Sequence, residues 1–310
     1  MDKKVALIGV PLDLGAENLG VDVGPHALRV EKIVQKLEKA GLKIDDLGDI
    51  YCMPREKLHP GNPKLKYLEE ILRVSHESAE KTYKAIKEGD KVLAIGGDHS
   101  VNLGVMSGAS VALKGNIGMI YLDAHGDLNT DKTTLSGNIH GMHVASLLGF
   151  GEKKLTYVYM PAKKLLRENL LLIGGKDFDK EEDEFIQEQK IKSFTMMDLL
   201  ANGMKPLFNL IDEMCKLTAN IWVSLDLDVI DGVYAPGVGI PNVGGLTYRE
   251  ITAVAKYIGE NCNVVGMDLV EYNPLRDIDK KTAELSIELC AKILGANYSP
   301  YSAYMERNKI

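Results

Sequence analysis

The sequence is poor in several features that would place a protein in a class at once. Its 310 residues hold four cysteines, Cys52, Cys215, Cys262 and Cys290. They stand far apart with no Cys-x-x-Cys pair, so neither a disulfide framework nor a thiolate metal site is expected, only reduced thiols in the core or near it. Positive charge is in deficit: 37 Lys and Arg against 44 Asp and Glu leave −7. That argues against nucleic acid and against an anionic membrane surface as partners. No apolar stretch approaches the roughly 18 residues of a membrane span. The opening MDKKVALIGVPLD sets an apolar run behind basic residues. The run is short, meets Pro11 and Asp13, and lacks a small-residue cleavage site, so a cytoplasmic location is expected. Linkers, low-complexity tracts and repeats are missing too. A single domain over 1–310 is the expectation, since large α/β sheets often run this long.

What the chain does have is a series of short Val- and Ile-rich runs at 5–10, 91–97, 117–124, 170–175, 220–228 and 263–272. They are continuous rather than alternating, as strands covered on both faces should be. Longer amphipathic segments lie between them, at 26–41, 66–89, 181–190, 198–217, 247–260 and 279–294. Gly24-Pro25 opens the first and Gly41 closes it. Thr247 and Glu250 fit a capping box. Strand–helix alternation along the whole length predicts an α/β fold with a mostly parallel central sheet between helical layers. The proline-bearing segment 51–65 and the segment 150–168 read as surface excursions.

The polar residues follow the strands. After the second run comes Asp98-His99-Ser100; after the third come Asp123, His125, Asp127 and Asn129; the fifth ends in Asp226, Asp228 and Asp231; the last ends in Glu271. In such sheets ligands bind beyond the carboxyl ends of the strands. A single Asp after a strand is usually a cap or turn residue and a single His is usually structural, which suffices for Asp98, Asp231, His26, His59 and His76. It does not suffice for the set. His99, Asp123, His125, Asp127, Asp226 and Asp228 put four carboxylates and two imidazoles on one rim, and no Lys or Arg cluster stands beside them. Such charge against a core costs several kcal/mol per ion unless compensated. Four negative charges are balanced by two divalent cations. Alternate residues of an extended Asp-x-His-x-Asp project the same way, so one motif can serve both ions. Oxygen and imidazole donors without thiolate suit Mn(II), with Co or Fe as alternatives. Two ions about 3.5–4 Å apart lower the pKa of a shared water towards neutrality, which makes hydroxide available at neutral pH.

The motifs GGDHS, DAHGDLNT, SGNIHGMH, SLDLDVID, APGVGIPNVGGLTYRE and LVEYNP occur in this order, behind an opening GVPLDLGAENLGVDVGPHALR. Together they resemble the arginase branch of the ureohydrolase family over essentially the whole chain. The resemblance implies a three-layer α/β/α fold, two Mn ions, and hydrolysis of L-arginine to L-ornithine and urea. It also implies a homotrimer or homohexamer. The six rim residues match its metal ligands, with His125 and Asp226 on different ions and Asp123 and Asp228 among the bridges. His140 matches the proton-shuttle histidine and Glu271 the glutamate that pairs with the guanidinium. Asn129, Ser136 and Asn138 match residues that hold the α-carboxylate, Asp179 matches the acid facing the α-amino group, and Glu182 assists it.

Three positions depart from the pattern: His143 stands where proline is usual, Ile240 where threonine is usual, and Gly232 where proline follows Asp231. No ligand is lost. A ureohydrolase for agmatine or guanidinobutyrate is the alternative within the class; a substrate without an α-carboxylate does not need Asn129, Ser136 and Asn138 together. A single-zinc deacetylase-like site does not need Asp127 and the Asp226/Asp228 pair. A scaffold without activity has no use for the complete ligand set.

Overall fold

Strand sequence and strand burial agree along the chain. The computed structural model describes residues 4–299. Its strands are β1 (Val5–Val10), β2 (Ile44–Asp49), the two-residue β3 (Gly61–Asn62) and β4 (Leu65–Lys66), β5 (Lys91–Gly96), β6 (Gly118–Leu122), β7 (Leu170–Ile173), β8 (Lys192–Phe194), β9 (Ile221–Asp226) and β10 (Val264–Val270). Eight of them form one sheet in the order β2-β1-β5-β10-β9-β6-β7-β8, and every pairing in it is parallel. Neighbouring residues of a strand feed two different cores. Leu7, Leu93 and Ile120 join one with Leu28, Ile211, Ile258 and Ile287; Ile8, Ala94 and Tyr121 join the other with Ile71, Met106 and Leu147. The period of two explains the continuous apolar runs: both faces are covered.

The helices are α1 (Gly24–Val30), α2 (Ile33–Lys39), α3 (Leu68–Glu88), α4 (Val101–Ala112), α5 (His143–Leu147), α6 (Lys153–Thr156), α7 (Lys180–Gln189), α8 (Met196–Asn202), α9 (Lys205–Leu217), α10 (Tyr248–Asn261) and α11 (Lys281–Ile293). The capping box of Thr247 and Glu250 is present. Two expected helices are each broken in two. Lys32 takes φ +64° between α1 and α2, and Gly203 takes φ +68° between α8 and α9. Four elements left no readable pattern, among them the five-residue α5. β2 and β8 lie at the sheet edges, one polar and the other three residues long. α4 is buried nearly all round, so it lacks an amphipathic period.

The two segments read as excursions are anchored structure. Arg55 donates to the carbonyls of Asp13 and Ala16, and the β3–β4 hairpin holds the 130–140 loop through Lys66 N–H to Gly137 O at 3.0 Å. In 150–168 Lys164 is buried, only 2% exposed, and its ammonium is hydrogen-bonded inside. It donates to the carbonyls of Thr156, Met160 and Ala162 at 3.0, 2.6 and 2.7 Å, an internal cation holding a loop that has little helix of its own. No helix of the described residues is long and apolar enough to cross a membrane.

Candidate active site

β5, β10, β9 and β6 are neighbours at the centre of the sheet, and their carboxyl ends deliver the polar residues. β5 runs through Gly97, where a Cβ would fall 1.9 Å from the Leu12 carbonyl, into Asp98 and His99. Asp98 is structural: its carboxylate accepts the N–H groups of Gly15 and Ser100 at 2.8 and 2.9 Å. Burial pushes its pKa up to about 6. β9 ends on Asp226, whose Oδ1 accepts the Asp228 N–H at 2.8 Å and starts a short 3-10 turn. Asp127 and Glu271 both adopt left-handed backbone, φ +50° and +63°. That conformation is strained for a non-glycine residue and concentrates at functional sites.

Two donor sets form. His99 Nδ1 lies 2.9 Å from Asp123 Oδ2, 3.1 Å from Asp226 Oδ2 and 3.5 Å from Asp127 Oδ2. His125 Nδ1 lies 3.3 Å from Asp123 Oδ1 and 3.1 Å from Asp228 Oδ2. Asp123 therefore faces both sets, one oxygen to each. Asp228 groups with His125, and Asp226, not Asp228, adjoins His99. All six are buried except His125, whose side chain is 30% exposed.

The charge balance tests whether cations fit. Burial raises the carboxyl pKa values of Asp127, Asp226 and Asp228, and Asp123 or Asp228 nearby raises them further. Burial works against charge on His99 and His125 too, yet their carboxylate partners hold both imidazoles well above the usual range. Protein groups alone can supply the positive charge these donors demand only as bound protons. A pair of divalent cations supplies it without them, and oxygen and imidazole donors are the right type. The donor set fits the two-ion centre expected from sequence.

Behind His99, Nε2–H donates to Ser224 Oγ at 2.8 Å, and Ser224 donates to Asp268 Oδ2 at 2.6 Å. Trp222 and Asn102 complete that carboxylate at 2.5 and 2.8 Å. The chain fixes the tautomer that leaves the Nδ1 lone pair facing the donor set. Sequence reading missed Ser224, Asp268 and Tyr121, which lie inside strand runs. The signal was a polar side chain in a strand covered on both faces.

A cavity of about 380 Å³ opens onto both donor sets, and His140, Glu271, Asn129, Asn138, Asp179 and Glu182 also line it. Glu271 Oε1 accepts the His99 N–H at 3.1 Å and stands 3.8 Å from His140 Nδ1. Burial, then the charges of Asp226 and Asp98, raise the Glu271 pKa. Burial lowers that of His140 to about 4, helped by His125 and His99, so its imidazole is neutral at neutral pH. Asp179 caps α7 in a capping box with Glu182 and accepts from Asn129 Nδ2 at 2.7 Å. Ser136 is exposed; its Oγ accepts the Asn138 N–H at 3.2 Å and it does not line the cavity. His26, His59 and His76 are exposed elsewhere. Asp231 accepts the N–H groups of Val233 and Gly244, a turn role. Ile240 is 48% exposed at the cavity mouth. His143 is fully buried: one ring nitrogen meets His140 O at 2.6 Å and the other has no hydrogen-bond partner.

Comparison with known proteins agrees with this geometry. The family model described as "Arginase family" matches residues 3–295. The chain belongs to the arginase family. An arginase of Brevibacillus brevis is 39% identical over 297 residues, covering 95% of this chain and 99% of that one. Among solved structures, the native arginase of Bacillus caldovelox at pH 5.6 superposes with TM-score 0.91 at 37% identity, over 96% of this chain and 100% of that one. An arginase of Bacillus cereus gives 0.90 at 37% identity with the same coverage. Family membership implies a binuclear metal centre, and the two donor sets sharing Asp123 are where this member could hold one.

Proposed function

We propose that the protein hydrolyses the guanidinium of L-arginine to L-ornithine and urea. The observation that carries this is the facing of Glu271 and the two donor sets across one cavity, in a chain 39% identical to a named arginase. Mn(II) is the proposed ion, with Co or Fe as alternatives, held by His99, Asp123, Asp127 and Asp226 on one side and His125, Asp123 and Asp228 on the other. When bound, such a pair lowers the pKa of a shared water from 15.7 towards neutrality.

The chain's own residues do the rest. Glu271 accepts paired N–H groups of the guanidinium in a fork and fixes the planar carbon over the donor sets. Asp127 takes the proton of the attacking water on Oδ1, the oxygen that Tyr121 leaves free. A C–O bond forms, and the C–N bond to the ornithine nitrogen breaks. That nitrogen leaves as an amine and needs a proton. His140, neutral and 27% exposed, relays one from solvent beside Glu271. Asn129 and Asn138, which line the cavity, hold the α-carboxylate; Ser136, expected with them from sequence, lies outside the lining and acts by accepting the Asn138 N–H. Lys66, which donates to Asn138 Oδ1 at 3.3 Å, brings positive charge to that end. Asp179, braced by Glu182, faces the α-amino group.

The continuous sheet supports reading 1–310 as one domain. A cytoplasmic homotrimer or homohexamer with a small-molecule substrate completes the proposal, with no role for nucleic acid or membrane. The test is urea release by the Mn-loaded protein. L-Arginine should far exceed agmatine and guanidinobutyrate as substrate. A preference for agmatine would assign the alternative specificity; no urea from any guanidine would refute the enzyme.

A further inference from the structure

The steps proposed above make no use of the phenol oxygen of Tyr121 itself. The residue is the last but one of β6 and is fully buried. Its ring stacks on that of His99, centroids 5.0 Å apart and planes at 13°. Its oxygen lies 2.7 Å from Asp123 Oδ2, 2.7 Å from Asp127 Oδ2 and 3.2 Å from His99 Nδ1. One phenolic proton cannot serve two carboxylates. Whichever it serves, the other anion faces a phenol lone pair at hydrogen-bond distance, and the imidazole lone pair held by the Ser224–Asp268 relay points to the same spot. Four centres of electron density converge, and a cation among them removes the conflict.

The spacing fits a coordination shell. Adjacent donors around an octahedral ion held at about 2.1 Å stand about 3.0 Å apart. The separations linking Tyr121 Oη, His99 Nδ1, Asp123 Oδ2, Asp127 Oδ2 and Asp226 Oδ2 run from 2.7 to 3.5 Å. We propose that Tyr121 supplies its phenol oxygen as a further ligand to the ion on the His99 side, turning that half of the centre into a Tyr-His-Asp site that favours hard, higher-coordinate ions. This rests on the two-ion reading above. It makes the two halves unequal: Tyr121 meets Asp123 at Oδ2, the oxygen on the His99 side, and not at Oδ1, which faces His125.

A phenol that binds ferric iron gives up its proton, here by way of Asp127 to solvent, and the resulting phenolate has a signature that carboxylate and imidazole ligands lack, a broad ligand-to-metal charge-transfer band in the visible. The full-length protein is stripped with chelator, loaded with Fe(II) without air, and oxidised with ferricyanide, one electron per iron. The parent should turn coloured, and Tyr121→Phe at equal iron content should not. Tyr121→Phe should also release one of its two ions to a chelator at least tenfold more readily. If the variant proves unstable, uniform labelling with 3-fluorotyrosine should shift the band. An iron-replete parent without the band, or a variant that keeps it, overturns the proposal: Tyr121 would then only hydrogen-bond to ligands. Failure to take up two ions of any kind would instead sink the two-ion reading beneath it.

Discussion

Replacing Glu271 by Gln keeps the shape of the side chain and removes its charge, which separates substrate recognition from folding and metal loading. The amide oxygen can still accept the His99 N–H that Glu271 Oε1 holds at 3.1 Å, so the turn after β10 should persist. Burial and the charges of Asp226 and Asp98 already disfavour the Glu271 carboxylate, so the neutral variant should unfold at the same temperature as the parent or slightly higher. The cost falls on the substrate. A guanidinium held in a fork by a buried carboxylate gains two charge-assisted hydrogen bonds, each worth about 1.5–3 kcal/mol. An amide offers one acceptor and no charge. Loss of about 3–6 kcal/mol corresponds to roughly 10²–10⁴-fold in kcat/KM. The assay is urea release with elemental analysis on the same sample, and metal content should be unchanged. A metal-replete variant within threefold of the parent would refute the assignment, and a fall that tracked metal loss would move Glu271 into the metal site.

Asp127→Asn should lower the ion content towards one per chain and reduce turnover at least about 10²-fold, since it removes a ligand and a proton acceptor together; full activity with two ions bound would refute both roles. Asp179→Ala should raise KM for arginine far more than it alters metal content, and loss of the α7 cap should cost about 1 kcal/mol of stability; equal KM values would end that assignment. Ile240→Thr should raise turnover or affinity by placing a hydroxyl at the cavity mouth, and unchanged kinetic constants would remove the idea. His143 gives a pH prediction. Burial, then the charge of His99, hold its pKa well below the usual imidazole value, so the unfolded chain takes the proton first. Its contribution to stability is full above about pH 6.5 and is lost as pH falls, by at most about 1.4 kcal/mol per unit. Urea denaturation with chelator present should show the parent losing more stability than His143→Gln between pH 7.5 and 5; parallel losses would contradict the sign.

The central strands were legible because both faces are covered, so β1, β5, β6, β7, β9 and β10 read as unbroken apolar runs. Their polar ends were legible because acids and imidazoles there have no structural excuse as a set. β2 was not, because an edge strand tolerates acids that a central strand would exclude: Asp45 is solvated, and Asp46 and Asp49 pair with Arg29 of α1. α4 was not, because helix and sheet neighbours bury it on nearly every face. The break at Lys32 has no marker in local sequence. At the site, the ligands stood out and their supports did not: Tyr121, Ser224 and Asp268 sit inside apolar runs, and only pairing across the sheet, Asp268 opposite Ser224, shows what they hold. His143 was visible as a departure, but its neighbours His99 and Asp127 were not.

β10 is the last strand of the sheet in sequence, yet it lies between β5 and β9. A ribosome making this chain produces two half-sheets first, one ending in β5 and the other in β9, each with an unsatisfied edge that only β10 can close. Late closure leaves both edges open to wrong partners during synthesis, and premature termination before residue 264 would yield an aggregation-prone fragment rather than a smaller stable fold.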